Sequence, residues 1–187
     1  MTNGEHYRGF TVGSNARIPG NPHLADIDIL AYEAALGKLM IAEVKWVIAS
    51  GEPYEQLSRA DAEEKAIKRQ LVPLVDFAMN NRSVVLNMID LQAHEIDKIS
   101  ICGSLIMRGF CGMNHELAAK YPTVDADLLL RELGSSRTNE SLLDWITKRE
   151  FLPQCNRDYE THNVPIEFGP HSIVMNGIRL KDRNSGR

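Results

Sequence analysis

The chain has 187 residues, with 21 Lys and Arg against 25 Asp and Glu, for a formal net charge of −4. Hydrophobic residues make up 43% and charged residues 25%, the balance of a globular protein that buries its own core. That excludes a collagen-like or disordered chain and a histone-like polycation, though not a local basic patch.

Residues 5–13 (EHYRGFTVG) alternate loosely and predict a short strand. Residues 14–22, with Asn15, Gly20, Asn21 and Pro22, predict a loop. The stretch LADIDILAY then alternates apolar and polar, AALG makes a turn, and KLMIAEVKWVI is a second β-rich run. Two such runs joined by a short Gly-containing loop predict an antiparallel hairpin. Ser58 predicts a helix N-cap, with Asp61 at the third helical position to complete a capping-box-like pair. The helix should run to about Met79, with Ile67, Leu71, Leu74, Val75 and Ala78 on one side and Pro73 kinking or dividing it. Residues 83–91 fit a helix or a strand. Residues 98–108 predict a central strand, and YPTVDADLLLREL a short strand leading into a helix. A helix is expected over residues 140–149, on Leu142, Leu143, Trp145 and Ile146. The last 25 residues predict short strands with a turn at Asn176-Gly177. This order predicts one α/β domain over residues 1–187, a mixed β-sheet flanked by α-helices.

Cys102, Cys111 and Cys155 form no CxxC pair and fit no zinc motif, so reduced thiols of a cytoplasmic protein are expected. Cys111 has no identifiable base to make it a nucleophile. No 18-residue apolar run is present, so no membrane partner is expected, and the N-terminus lacks the regions of a signal peptide. The histidines form no HExxH pair, and His23 reads as a loop residue.

Four charged residues on the hairpin demand a reason. Asp26 and Asp28 are two apart on the first strand, Glu43 and Lys45 two apart on the second, so each pair shares a face. Folding about Ala35-Leu36 sets Asp28 opposite Glu43 and Asp26 opposite Lys45. Directly opposed carboxylates repel and destabilise a sheet. A divalent cation removes that repulsion, and magnesium takes one or two carboxylates plus waters and phosphates. Asp28 and Glu43 are suitable ligands, with the Val44 backbone carbonyl as a third. Lys45 would then stand beside the metal and its waters, as a base or as an electrostatic clamp.

These residues resemble the core motif of the PD-(D/E)XK, or restriction-endonuclease-like, nuclease superfamily: an aspartate at the end of one strand, here Asp28, then (D/E)-x-K on the next, here Glu43-Val44-Lys45. Asp26 stands where many members carry an extra acid, and is expected as an auxiliary metal ligand. Gln70 stands on the following helix, where some members use a glutamine to orient the site; it either does so here, or caps a turn or reaches solvent at the edge of the apolar stripe. The resemblance implies a restriction-endonuclease-like core and a Mg2+-dependent endonuclease, with Mn2+ able to substitute, cutting nucleic acid and most often DNA. The alternative is a catalytically inactive nucleic-acid-binding or assembly module of the same fold; a hydrolase of small phosphoesters is a further rival. There is no Pro-Asp dipeptide. The superfamily's usual opening helix is also missing: either it was lost, or the chain is a fragment or subunit of a larger assembly that supplies it, the reading preferred because a missing helix would leave one sheet face uncovered.

Glu63-Glu64-Lys65 repeats the E-x-K spacing but reads as the solvated face of a helix. Lys65, Lys68 and Arg69 are the expected phosphate contacts, since their helix follows the catalytic strand. Lys148/Arg149 and Arg179/Lys181/Arg183/Arg187 read as solubilising charge. The net charge of −4 points to a further domain or subunit for recognition; a homo-oligomer is left open as a separate expectation.

Overall fold

The computed structural model describes residues 5–7, 9–46, 53–91, 96–108, 115–134, 141–153 and 155–181. Where one domain is expected, the chain divides into two compact units, residues 1–149 and 150–187.

The first unit is built on a six-stranded mixed sheet in which spatial order follows chain order. Strands β1 (Glu5–Tyr7), β2 (Phe10–Ala16), β3 (Ile27–Glu33) and β4 (Lys38–Lys45) pair antiparallel. Strands β5 (Ser100–Met107) and β6 (Thr123–Asp125) then add in parallel. The single strand expected over residues 5–13 is thus a hairpin, turning at Gly9 with φ +86, and β2 runs on into the expected loop. Gly9 makes the tight reversal without a Cβ penalty, a signal weaker than the apolar alternation around it. The β3–β4 hairpin forms as predicted, with Gly37 at φ +58. The central strands β4 and β5 are covered on both faces, so both read as near-continuous apolar runs.

A parallel crossover needs a long connection, and here it is helical. Helix α1 (Pro53–Ala66) passes through a π-helical segment, Ile67–Leu71, into α2 (Val72–Asn80), followed by α3 (Arg82–Asn87). The expected Ser58 cap is overturned: Ser58 and Asp61 lie inside α1, because proline at the first helical position starts the helix earlier. Pro73 divides the helix as expected. It lacks an N–H and crowds the carbonyl four residues back, and the widened π turn just ahead of it absorbs the misfit. The ambiguous residues 83–91 open as helix α3. Arg82 ties it to the start of β5, its Nη1 donating to the carbonyls of Asp97 and Ile99, each at 2.8 Å.

Ile67, Leu71, Leu74 and Val75 bury one sheet face, packing with Leu30, Leu39, Ile41 and Leu105 in one core. Gly103 in β5 makes that contact close: a Cβ there would meet Val75 Cγ2 at 2.8 Å and Tyr121 Cδ1 at 2.9 Å. Gly103→Ala should therefore cost about 1–3 kcal/mol by overpacking, read as a lower urea midpoint at unchanged slope.

The short α4 (His115–Lys120) leads into β6, which runs directly into α5 (Ala126–Gly134), as predicted. Helix α6 (Leu142–Thr147) starts at Ser141, whose Oγ accepts from the Asp144 N–H at 3.1 Å. The Ser141 hydroxyl also donates to Glu33, and Lys38 pairs with Asp144, so α6 is tied to the closed end of the β3–β4 hairpin. The Lys148 and Lys38 ammonium groups hold the Asp144 carboxyl below its ordinary range. Helices α5 and α6 thereby occupy the second sheet face, which was expected to stand open. Leu129, Leu133, Leu142 and Leu143 line a cavity of about 540 Å3 against Val12, Ile29 and Met40.

The second unit is one long hairpin, β7 (Tyr159–Phe168) with β8 (His171–Leu180). Its reversal is at Gly169, with φ +57, and not at Asn176-Gly177. Gly177 instead lies within β8, where a Cβ would meet Val164 Cγ2 at 2.7 Å. Close cross-strand packing, not turn geometry, explains that glycine. The basic residues Arg183 and Arg187 lie outside the described residues.

Candidate active site

The β3–β4 register pairs Ile29 with Ala42 and Leu30 with Ile41, and its continuation sets Asp28 opposite Glu43. There the backbone ladder gives way to a side chain: the Val44 N–H donates to Asp28 Oδ2 at 2.7 Å. In an extended strand a residue's N–H and C=O point to the same flank, so the Val44 carbonyl also faces the β3 side.

Glu43 is only 2% exposed. Its Oε1 meets Lys45 Nζ at 2.5 Å, while its Oε2 is buried without a hydrogen-bond partner. Burial pushes the Glu43 carboxyl above the usual 4.5; the Lys45 ammonium opposes this, and the neighbouring Asp28 carboxylate reinforces it. Sequence placed these three groups together, and the fold does so. The reason is parity: Asp28 shares a sheet face with Leu30, as Glu43 and Lys45 do with Leu39 and Ile41, and that face lies under the helix.

Two opposed carboxyls, an orphaned buried oxygen and a backbone carbonyl on the same flank fit a hard divalent cation. Among the described residues no group of three or more His, Cys, Asp or Glu side chains is placed to hold a metal. Magnesium does not require one, since waters and phosphate oxygens complete its shell.

Other expected members stand apart. Asp26 is not on the strand: β3 starts at Ile27, and Asp26 is exposed ahead of it. Lys45 turns to Glu43, not across to Asp26. Gln70 is half-buried within the π segment, between the fully buried Ile67 and Leu71, and no hydrogen bond joins it to Asp28, Glu43 or Lys45. Lys65, Lys68 and Arg69 are all exposed, with Lys68 paired to Glu64. His23 is an exposed loop residue, as read. Cys102 and Cys155 are free thiols, and burial pushes the Cys102 thiol up to about 11, which removes it from thiolate chemistry. Cys111 lies outside the described residues.

Sequence reading missed Glu63 and Arg59. Glu63 is 1% exposed, not solvated: Thr123 Oγ1 donates to its Oε1 at 2.5 Å, and its Oε2 has no partner. The buried Arg59 also has an unpartnered Nη2. Glu43, Leu105 and Thr123 are register partners across β4, β5 and β6, so Glu63 stands level with Glu43, about 10 Å across the sheet. Gln70 lies seven residues further along the helix, about 10 Å from that level, which explains its separation from the carboxylates. A signal existed: Arg59, Glu63 and Ile67 fall four apart on one helix face.

Compared with known proteins, the chain matches no family model, and neither a curated protein nor a solved structure matches it. No described helix is long and apolar enough to cross a membrane.

Proposed function

We propose that the first unit is a magnesium-dependent nuclease domain of the restriction-endonuclease-like type, hydrolysing phosphodiester bonds, with DNA as substrate. The observation that carries this reading is the buried Glu43 Oε2, unpartnered beside a second carboxyl and an ammonium. An unsatisfied buried polar group costs about 1–3 kcal/mol, a cost that a cation held between Glu43 and Asp28 would offset.

Asp28 and Glu43 would hold the ion, with the Val44 carbonyl. A bound magnesium supplies an activated water and neutralises phosphoryl charge. The chain's own residues do the rest. Asp28, fixed by the Val44 N–H, cannot swing away from Glu43. Lys45, about a third exposed, reaches both Glu43 and solvent, so its ammonium can meet an incoming phosphate or orient a water. Lys65 and Arg69, exposed on the helix that covers the site's face, would contact flanking phosphates, with Lys68 shared with Glu64. In this reading Asp26 and Gln70 have at most an auxiliary part.

The test is incubation with labelled single-stranded, duplex and flapped DNA and RNA, with and without Mg2+ or Mn2+. Metal-dependent cleavage, slowed by about 10²–10³-fold in Lys45→Ala with the fold retained, is the expected result. Cleavage unchanged in Asp28→Ala, Glu43→Ala and Lys45→Ala would remove the assignment. Metal-independent binding without any cleavage would favour the inactive module, and hydrolysis confined to small phosphoesters the other rival.

A further inference from the structure

Trp46 directly follows the catalytic-strand lysine and is 71% exposed. A tryptophan buries more apolar area than most side chains, and leaving one in water forfeits that gain. The guanidinium carbon of Arg108 lies 4.9 Å from its ring centroid, covering one face of the ring by a cation–π contact. Arg108 itself is held at the end of β5, its N–H donating to the Lys45 carbonyl at 3.4 Å. One face of the ring is thus covered, while the side chain stays largely exposed, at the end of the sheet where the central strand β4 stops.

We propose that Trp46 and Arg108 form a stacking platform for an unpaired nucleobase next to the phosphate held at Lys45, so that the substrate is single-stranded or locally unpaired DNA. Three features carry this. An aromatic face and a fixed cation side by side suit a base and its phosphate together. Successive strand residues point to opposite sides, so Lys45 and Trp46 flank the end of β4, and a single strand crossing that end of the sheet presents phosphate to one and base to the other. A base within an intact duplex is already stacked on both faces and has none to offer. The proposal rests on the nuclease reading only for placing the reacting phosphate at Lys45.

Binding is therefore measured without metal, so that cleavage plays no part. The probes are fluorescein-labelled oligo-dT, the matching RNA and the matching duplex, followed by anisotropy in EDTA. The wild type should bind oligo-dT more tightly than the duplex. Trp46→Ala should weaken oligo-dT binding by about tenfold or more, and Trp46→Phe by no more than about threefold. Arg108→Gln should also weaken it and reduce the slope of log K against log salt by about 0.7. Lys148→Gln removes the same charge from the C-cap of α6, which is tied through Lys38 to the closed end of the hairpin, the far end of β4 from Trp46, and should leave affinity within about twofold. Of the chain's two tryptophans, Trp145 is buried, so oligo-dT should quench emission mainly from Trp46.

Affinity equal in Trp46→Ala and wild type, a preference for duplex, or no binding by the wild type would each overturn the platform. Unfolding of Trp46→Ala would make the ring structural and overturn it equally. RNA bound in preference to oligo-dT, with the same Trp46 dependence, would keep the platform and reassign its ligand. Loss of the nuclease reading shows instead in cleavage that ignores Asp28 and Glu43, whatever Trp46 does.

Discussion

Glu43→Gln should abolish magnesium-dependent cleavage, by about 10³-fold or more, while making the metal-free protein more stable. The two effects share one cause. Glu43 is a buried carboxyl raised above its usual 4.5 by desolvation and by Asp28, with one oxygen unpartnered. A folded-state value above the unfolded one means that the native protein binds the proton more tightly. The stabilisation is complete below about 4.5 and is lost as pH rises through the folded value. Ionising Glu43 is therefore costly in the native protein; the Lys45 ammonium offsets part of that cost, and a bound metal ion would offset more. Glutamine keeps the volume, carries no charge and can donate its amide to Asp28. The expected gain is about 1 kcal/mol, or 2–4 °C in melting temperature, at neutral pH without metal. That gain should vanish at acid pH, where glutamate is protonated. Magnesium should raise the melting temperature of the wild type but not of Glu43→Gln. A variant less stable than wild type at every pH would mean that the Lys45 pair outweighs the strain on the carboxyl.

Leu71→Ala should cost about 2–5 kcal/mol, the largest stability loss of the substitutions named. Leu71 is fully buried, closes the π segment and packs with the side chains of β4 and β5. The turn is already widened to accommodate Pro73, so its backbone is poorly placed to collapse into the space left behind. Equilibrium urea unfolding measures the loss as a lower midpoint. Where the variant remains folded, cleavage should persist, because Leu71 lies eight residues past Glu63, about 12 Å along the helix from the level of Glu43. A loss under about 1 kcal/mol would show that the segment is not packed against the sheet as described.

Local pattern made the centre of the site legible. Apolar alternation fixed the β3–β4 register, and the register alone set Asp28 across from Glu43, with Lys45 two residues on. The strands β5 and β6 and the helices α5 and α6 were legible for the same reason, since their apolar runs are short and flanked by clear stops. Glu63 was not legible. Its neighbours Glu64 and Lys65 are charged, and only the partnership with Thr123, sixty residues on, reveals its burial. Helix propensity in a polar run does not say which face turns inward; tertiary packing decides it. The start of α1 was misplaced because Ser58 resembles a cap as readily as Pro53 begins a helix. Asn176-Gly177 misled for a related reason, as its turn chemistry yielded to the pairing of two long strands. The two-unit division left no mark in composition.

Calorimetric titration with Mn2+ and Mg2+ near neutral pH, on the wild type and on Asp28→Asn and Glu43→Gln, tests the central arrangement most directly. One ion bound per chain, absent in both variants while their folds persist, is the result that follows from two acids and a carbonyl meeting at the end of a hairpin. A wild type that takes up no ion, or variants that bind as well as it does, would contradict the account.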